Sequence, residues 1–285
     1  MSALQLVGTS GDVVDVLYPY PEDFFDPIRW AKGGIYPLMP YSNRIAQAVV
    51  HVNGESFPLR PHPDAEPHSL HGNAQAQAWQ ATQQDPSSVT LTLDSPGGPS
   101  WPWHYTASMR FELAPSQLSV HLDLCNADLR TMAAGIGLHP YFLHHPSALL
   151  SYSATTLWPA TTECLPGAAR ALRADEQYAM PRRLPDGGLT DYVSGWNGTA
   201  TVDLPQGAQL RVLADPVFGH LVVHRPDTPC YLCLEPVSHV ADAFNLADRG
   251  VANTGTHLLE PGDRISGTIR FSLVNMVDPA ERKPE

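Results

Sequence analysis

Little of this sequence is basic. Lysine and arginine together number 17 against 29 aspartates and glutamates, a formal net charge of −12. A nucleic-acid partner requires a cationic stripe to meet its phosphates, and none is visible. The deficit speaks less strongly against a phosphorylated small molecule, because two or three local arginines can outvote the global field. Long apolar runs are also missing: the most hydrophobic windows are short and interrupted, so no membrane span is expected. The opening stretch MSALQLVGTSGDVVDV has neither a basic nor an apolar leader region, so no secretory signal is expected. Cysteines number four. Cys230 and Cys233 form a C-x-x-C, but no second pair follows and a zinc ribbon needs four ligands. Both therefore read as small residues of a buried strand. Reduced thiols without a leader give the cytoplasm as the expected compartment.

Helical windows are scarce as well, and what fills the chain instead is strand and turn. Apolar residues make up 43%, charged residues only 16%, and 28 prolines with 21 glycines punctuate the rest. That composition describes a globular chain of short strands. In AQAVVHVNGESFPL, Asn53-Gly54 between β-branched runs predicts a two-residue hairpin. SSVTLTLDS alternates, with Val89, Leu91 and Leu93 on one face. Further hairpins are expected around Ala114 to Gln117 and near Pro205 to Gly207, while DAFNLADRG has room for one or two helical turns ended by Gly250. With no internal repeat and no linker, the expectation is all-β, a sandwich or barrel. It comprises a single domain over residues 1–277 and a disordered tail over 278–285.

Four segments hold polar residues without an obvious structural task. In GGIYPLMPYSNRIAQA, Pro37 and Pro40 stiffen a loop that ends in Asn43-Arg44. A lone arginine at a strand start is usually solvated, but on a rigid loop its five-donor plane suits hydroxyls or a carboxylate. In HSLHGNAQAQAW, His68 and His71 lie near Trp79. Two histidines without an acidic neighbour are a weak metal signal, whereas an indole platform beside donors suits a sugar. In AAGIGLHPYF, Gly135 to Leu138 read as a buried strand and His139 as its end. Pro140 holds His139 extended, and an imidazole with a pKa near ~6.5 exchanges protons at neutral pH. In CYLCLEPVSHVADAFN, Glu235 interrupts an apolar strand. Burying a carboxylate is costly unless it is paired or functional, and burial raises its pKa as a general base requires.

Together these segments resemble the aldose 1-epimerase (galactose mutarotase) family. PLMPYSNRI, SLHG with a downstream Trp, GIGLHPYF, LEPVSHVADAFN and TGTHLLEPGDRISGTIRF occur in the family's order from about residue 33 to 273. The resemblance implies a large antiparallel β-supersandwich, with Glu235 as general base and His139 as general acid. It further implies that Arg44 and His71 bind near the ring and anomeric oxygens of a sugar. The family's acidic motif, of the form LDDCFTGW, departs here to LTDYVSGW. Either Asp191 takes over hydroxyl binding beside Thr190, or this pocket reads hydroxyls differently.

The residue types suit the implied chemistry. Interconverting α and β anomers needs a base at O1 and an acid at the ring oxygen O5, expected on opposite sides of the pyranose. The C1–O5 bond opens, C1–C2 rotates and the ring recloses. Neither cofactor nor metal is required, in keeping with a sequence that has no phosphate loop or dinucleotide fingerprint. The expected partner is a free small-molecule sugar, with no nucleic acid and no membrane; the sequence names neither the aldose nor an oligomeric state. A hexose-phosphate epimerase on the same fold would need cations at the pocket, with Arg60 and Arg182-Arg183 as candidates. A sugar-binding protein that keeps the pocket without turnover is a further alternative, disfavoured by the presence of both Glu235 and His139. A glycoside hydrolase needs two carboxylates about 5–10 Å apart, and only Glu235 has a matching context.

Overall fold

The computed structural model describes residues 1–8, 11–21, 26–29, 32–228 and 230–274. Nine strands form one antiparallel sheet, in the spatial order Tyr178–Arg183, Leu149–Tyr152, Thr199–Asp203, Gln209–Ala214, Arg264–Val274, Gln117–Asn126, Tyr105–Ala114, Ser88–Ser95 and Gln80–Asp85. Alternation decides which face is buried. Tyr105, Ala107 and Met109 are covered, as are Leu118, Val120, Leu122 and Leu124 on the next strand and Ile265, Ile269 and Phe271 beyond it. Six more strands form a second antiparallel sheet, in the order Phe142–Leu143, Tyr231–Val237, His220–Arg225, Leu189–Ser194, Thr156–Pro159 and Arg170–Ala171. Phe142 of this sheet meets Phe271 of the larger one, with ring centroids 5.6 Å apart. These two sheets are the expected β-supersandwich. Among the described residues no helix is long and apolar enough to cross a membrane.

The turn chemistry read from the sequence is present. Asn53 and Gly54, at φ 52° and 79°, join Val49–Val52 to Glu55–Pro58. That pair of left-handed residues matches the twist of the flanking strands. Ala114 pairs with Gln117, and Asp203 with Gln209, across the other two hairpins. Among the described residues the one α-helix spans Ala243–Asp248, and Gly250 follows it at φ 82°. The tail expected to be disordered lies outside the described residues.

Two expectations need correction. Gly135 to Leu138 do not form one strand ending at His139. Strands run instead over Met132–Ala134 and Leu138–Pro140, so His139 sits inside a strand and pairs with Tyr36 of Ile35–Pro37. The glycines between them pass too close to a neighbouring segment to carry side chains: a Cβ on Gly137 would lie 2.9 Å from the Pro236 carbonyl oxygen. The C-x-x-C is not a pair of buried strand residues either. Cys230 is exposed ahead of the strand, and Cys233 alone is buried within it.

Candidate active site

The strand Tyr231–Val237 is buried at every position, so both of its faces meet packed protein or a cleft wall. Period two turns Leu232 and Leu234 toward one side and Tyr231, Cys233 and Glu235 toward the other. His220–Arg225 pairs alongside, with Val222 opposite Glu235, and contributes Val222 and His224 to the same cleft. Leu189–Ser194 adds Thr190 and Tyr192. On the other flank of Tyr231–Val237 runs the segment carrying His139, bridged to it at Gly137–Val237 and Phe142–Leu232, with Tyr36 paired to His139 from the strand beyond; Arg44 and His71 complete the lining. The enclosed volume is about 210 Å³. That is about seven waters' share of liquid, room for one pyranose ring and not for two.

His139 and Glu235 meet at the floor. His139 Nε2 lies 3.3 Å from Glu235 Oε1, and their exposures are 6% and 2%. Burial pushes the Glu235 carboxyl up to about 8, opposed in part by the Lys32 charge. Burial likewise holds the His139 imidazolium well below its ordinary pKa, reinforced by His71, His224 and Lys32. Both shifts favour the uncharged forms, so near neutral pH this close pair holds one exchangeable proton between carboxyl and imidazole. Glu235 Oε2 and His139 Nδ1 are buried without hydrogen-bond partners. Such groups are costly to leave unmet and point to a polar ligand that bonds them. Tyr141 and Tyr36 stack on the imidazole at centroid distances of 4.6 and 4.8 Å, which limits its rotation.

His139 and Glu235, expected on opposite sides of a pyranose, stand side by side with Nε2 and Oε1 3.3 Å apart. O1 and O5 of a pyranose are bonded to one carbon, so adjacent groups can reach both.

His71 has φ 61°, an unusual backbone for a non-glycine residue. The twist lets its N–H donate to the Asn43 carbonyl at 2.9 Å while its Nδ1 accepts the Asn43 N–H at 3.1 Å. With Nδ1 occupied as acceptor, the ring proton is on Nε2. Burial keeps this imidazole neutral, well below its ordinary pKa. Arg44 is held by its backbone: Asp242 N–H donates to the Arg44 carbonyl at 2.8 Å, and the Asp242 carboxylate accepts the Ala46 N–H at 3.0 Å. Upstream, the Ser42 N–H donates to His239 Nε2 at 3.1 Å, and His239 Nδ1–H donates to the Val240 carbonyl. His239 and Asp242 thus position the Arg44 segment. Gly135 makes room for this: a Cβ there would land inside the His239 ring. Gly135→Ala is expected to expel that ring, orphan the Ser42 N–H and cost about 1–3 kcal/mol. Because it loosens a binding loop, any sugar KM should rise more than kcat falls. Urea titration and steady-state kinetics on the variant read both effects.

Two residues expected at the site are elsewhere. Trp79 does not line the cleft: its indole N–H donates to the Ala74 carbonyl at 2.8 Å and its ring packs against the core. The short turn Ala74–Ala76 supplies that carbonyl, so the indole is tied to its own loop, away from the cleft. Asp191 alternates with Thr190 and Tyr192 and so falls on the opposite side of its strand. There it lies near Tyr152, Tyr178 and Arg170, and burial pushes its carboxyl up to about 6. Thr190 occupies the cleft position, with its hydroxyl 2.9 Å from His224 Nδ1.

Sequence reasoning passed over Tyr36, Tyr141, Tyr192, His224 and Cys233. Tyr141 carried a signal, since two residues past His139 is the same face of a strand. Tyr36 and His224 carried none, because only strand register brings them in. His139, Cys233 and Glu235 offer ligand atoms within 4.8 Å of one another, the one such trio among the described residues. Burial holds the Cys233 thiol well above its ordinary pKa, so a metal there would have to displace its proton and that of Glu235.

Comparison with known proteins gives the family and related folds. The aldose 1-epimerase family model matches residues 9–272. The uncharacterized protein YphB of Escherichia coli K12 is 26% identical over 233 residues, covering 75% of this chain and 76% of that protein. A crystal structure from Escherichia coli K12 superimposes with a TM-score of 0.81 at 22% identity, covering 96% of this chain and 99% of that one. A galactose mutarotase-like protein from Clostridium acetobutylicum does so with 0.79 at 18% identity, over 96% and 92%.

Proposed function

This chain belongs to the aldose 1-epimerase family, and from that membership we propose that it interconverts the α and β anomers of a free aldose by acid/base ring opening and reclosure. The observation that carries the reading is the buried His139–Glu235 pair, 3.3 Å apart on the floor of a cleft sized for one ring. Glu235 handles the proton on O1 and His139 the proton on O5. The carboxyl first passes its proton to His139; the Glu235 carboxylate then takes the O1 proton while the His139 imidazolium protonates O5, and the C1–O5 bond breaks to the aldehyde. Rotation about C1–C2 presents the other face, and the two transfers then run backwards. One shared proton suffices for the whole cycle, because each group ends an opening step in the state that closure requires. Arg44 and the His71 Nε2–H donate toward the ring and anomeric oxygens and hold the sugar against the pair. Thr190, at the first acidic position of the family's motif, and His224 line the cleft and are available to meet hydroxyls.

The competent state is the singly protonated pair, and this sets a pH profile. Below the depressed His139 pKa both groups carry protons and the base is gone. Above about pH 8, where the Glu235 carboxyl titrates, the pair loses its proton and the acid is gone. After subtraction of the buffer-catalysed background, kcat/KM should be level near neutrality and fall about tenfold per pH unit above that point. Two-dimensional exchange NMR on equilibrated glucose and galactose, from pH 5 to 9.5, reads this directly. Absence of acceleration with every aldose tried would sink the reading; a profile still level at pH 9.5 would remove Glu235 from proton transfer.

A further inference from the structure

Behind the cleft lies a second cavity of about 580 Å³, and Ile28, His62, Leu70 and Gln75 belong to the walls of both. The two therefore adjoin along that shared wall. A substrate whose ring sits against His139 and Glu235 and that also reaches the second cavity carries a further unit beyond that ring. Because anomer exchange needs O1 free, this unit cannot be attached at O1.

The chemistry of the outer wall narrows what that unit is. Pro61, Pro63 and Pro99 give it a stiff apolar floor, of the kind that accepts the C–H face of a sugar. Two polar groups of this wall keep hydrogen-bonding capacity to spare. Gln75, at the junction, has a buried carbonyl oxygen with no hydrogen-bond partner. It is an acceptor waiting for a hydroxyl. Asn73 accepts the Tyr105 hydroxyl at 2.6 Å through its carbonyl, which leaves its amide N–H groups as donors. A phosphate would demand several cations, but Arg60 is the one lysine or arginine in this lining. His62 is committed, with Nε2 on the Ile28 carbonyl and Nδ1 accepting the Asp64 N–H. Arg182, the other cation considered for a phosphate, is spent on the Asp175 and Gln177 carbonyls and lies over the Tyr178 ring.

We propose that the outer cavity is a subsite for a second glycosyl unit, so that the preferred substrate is the reducing end of a disaccharide or longer saccharide. This rests on the epimerase reading above for the inner ring, and the test separates the two. Anomer exchange is measured for glucose, maltose, cellobiose, isomaltose and glucose 6-phosphate, with the native protein and with Ala76→Trp. Ala76 is exposed and lines only the outer cavity, so its replacement should plug the subsite without touching the acid/base pair. Ser100→Trp, from another part of the same lining, guards against a local misfit.

At least one disaccharide should show a kcat/KM tenfold or more above glucose. Either tryptophan should erase that advantage and leave the glucose rate unchanged. Disaccharides no better than glucose, an equal loss on both sugars in the variants, or a preference for glucose 6-phosphate would each overturn the subsite while leaving the epimerase reading standing. If no sugar is turned over, the epimerase reading fails by itself. Calorimetric titration with the same sugars then decides the subsite: tighter binding of a disaccharide than of glucose, lost in Ala76→Trp, supports it, and equal binding overturns it.

Discussion

Glu235→Gln is expected to lower enzymatic anomer exchange by roughly 10²–10⁴-fold, the usual weight of a positioned proton transfer. Glutamine keeps the shape and can donate from its amide to His139 Nε2, so the cleft geometry survives; what goes is the ability to take a proton from O1. The same substitution should stabilise the fold at alkaline pH. The Glu235 carboxyl is raised by burial to about 8, whereas in the unfolded chain it titrates near ~4.3. As pH climbs between those values the unfolded state gains an ionised, well-hydrated carboxylate that the folded state does not match. The native protein therefore loses stability across that window, and glutamine escapes the loss. At pH 8 the variant should be the more stable by an amount on the order of 3 kcal/mol, shrinking toward nothing near pH 4.5. Thermal melts of both proteins across that range check the sign. A variant that is inactive and less stable at pH 8 would mean that glutamine damages the site instead of disarming it.

His139→Asn should cost a similar factor, about 10²–10⁴-fold, because O5 loses its proton donor. Asparagine is smaller than imidazole and leaves a gap against Tyr36 and Tyr141, which now stack on the ring. His139→Gln, closer in reach, serves as the companion variant. The more telling measurement is the double variant Glu235→Gln/His139→Asn. Groups that work as one proton-passing unit are far from additive. The double variant should lose little more than the worse single one, measured by exchange NMR at one pH. Two losses that multiply would show that the groups act in separate steps, and the shared-proton account would fall.

Much of the architecture was readable from local pattern. The Asn53-Gly54 hairpin, the turn at Ala114 to Gln117 and the helix stop at Gly250 depend on residues adjacent in the chain, and they occur where propensity puts them. Glu235 was readable for a related reason. A carboxylate inside an apolar strand is anomalous in one dimension, since burial follows from its neighbours. His139 was marked by the proline after it, although Gly135 and Gly137 broke its strand earlier than the hydrophobic run suggested. Those glycines exist because His239 and the Pro236–Val237 backbone pass against them, and no local rule carries that information.

Trp79 and Asp191 were misplaced because a residue's type does not fix its direction. Asp191 is one position from Thr190, and a single step along a strand exchanges the cleft for the opposite face.

By itself, the sequence determined that this chain is all-β, acidic and furnished with one anomalous carboxylate and one constrained imidazole in segments in the epimerase order. Composition, alternation and turn chemistry are local quantities, and a chain states them directly. Only the tertiary structure decided that His139 and Glu235 stand 3.3 Å apart, that Tyr36 and His224 join them, and that a second cavity adjoins the cleft. Each of those depends on register between strands far apart in the chain, which is set by packing the two sheets and not by any residue's near neighbours.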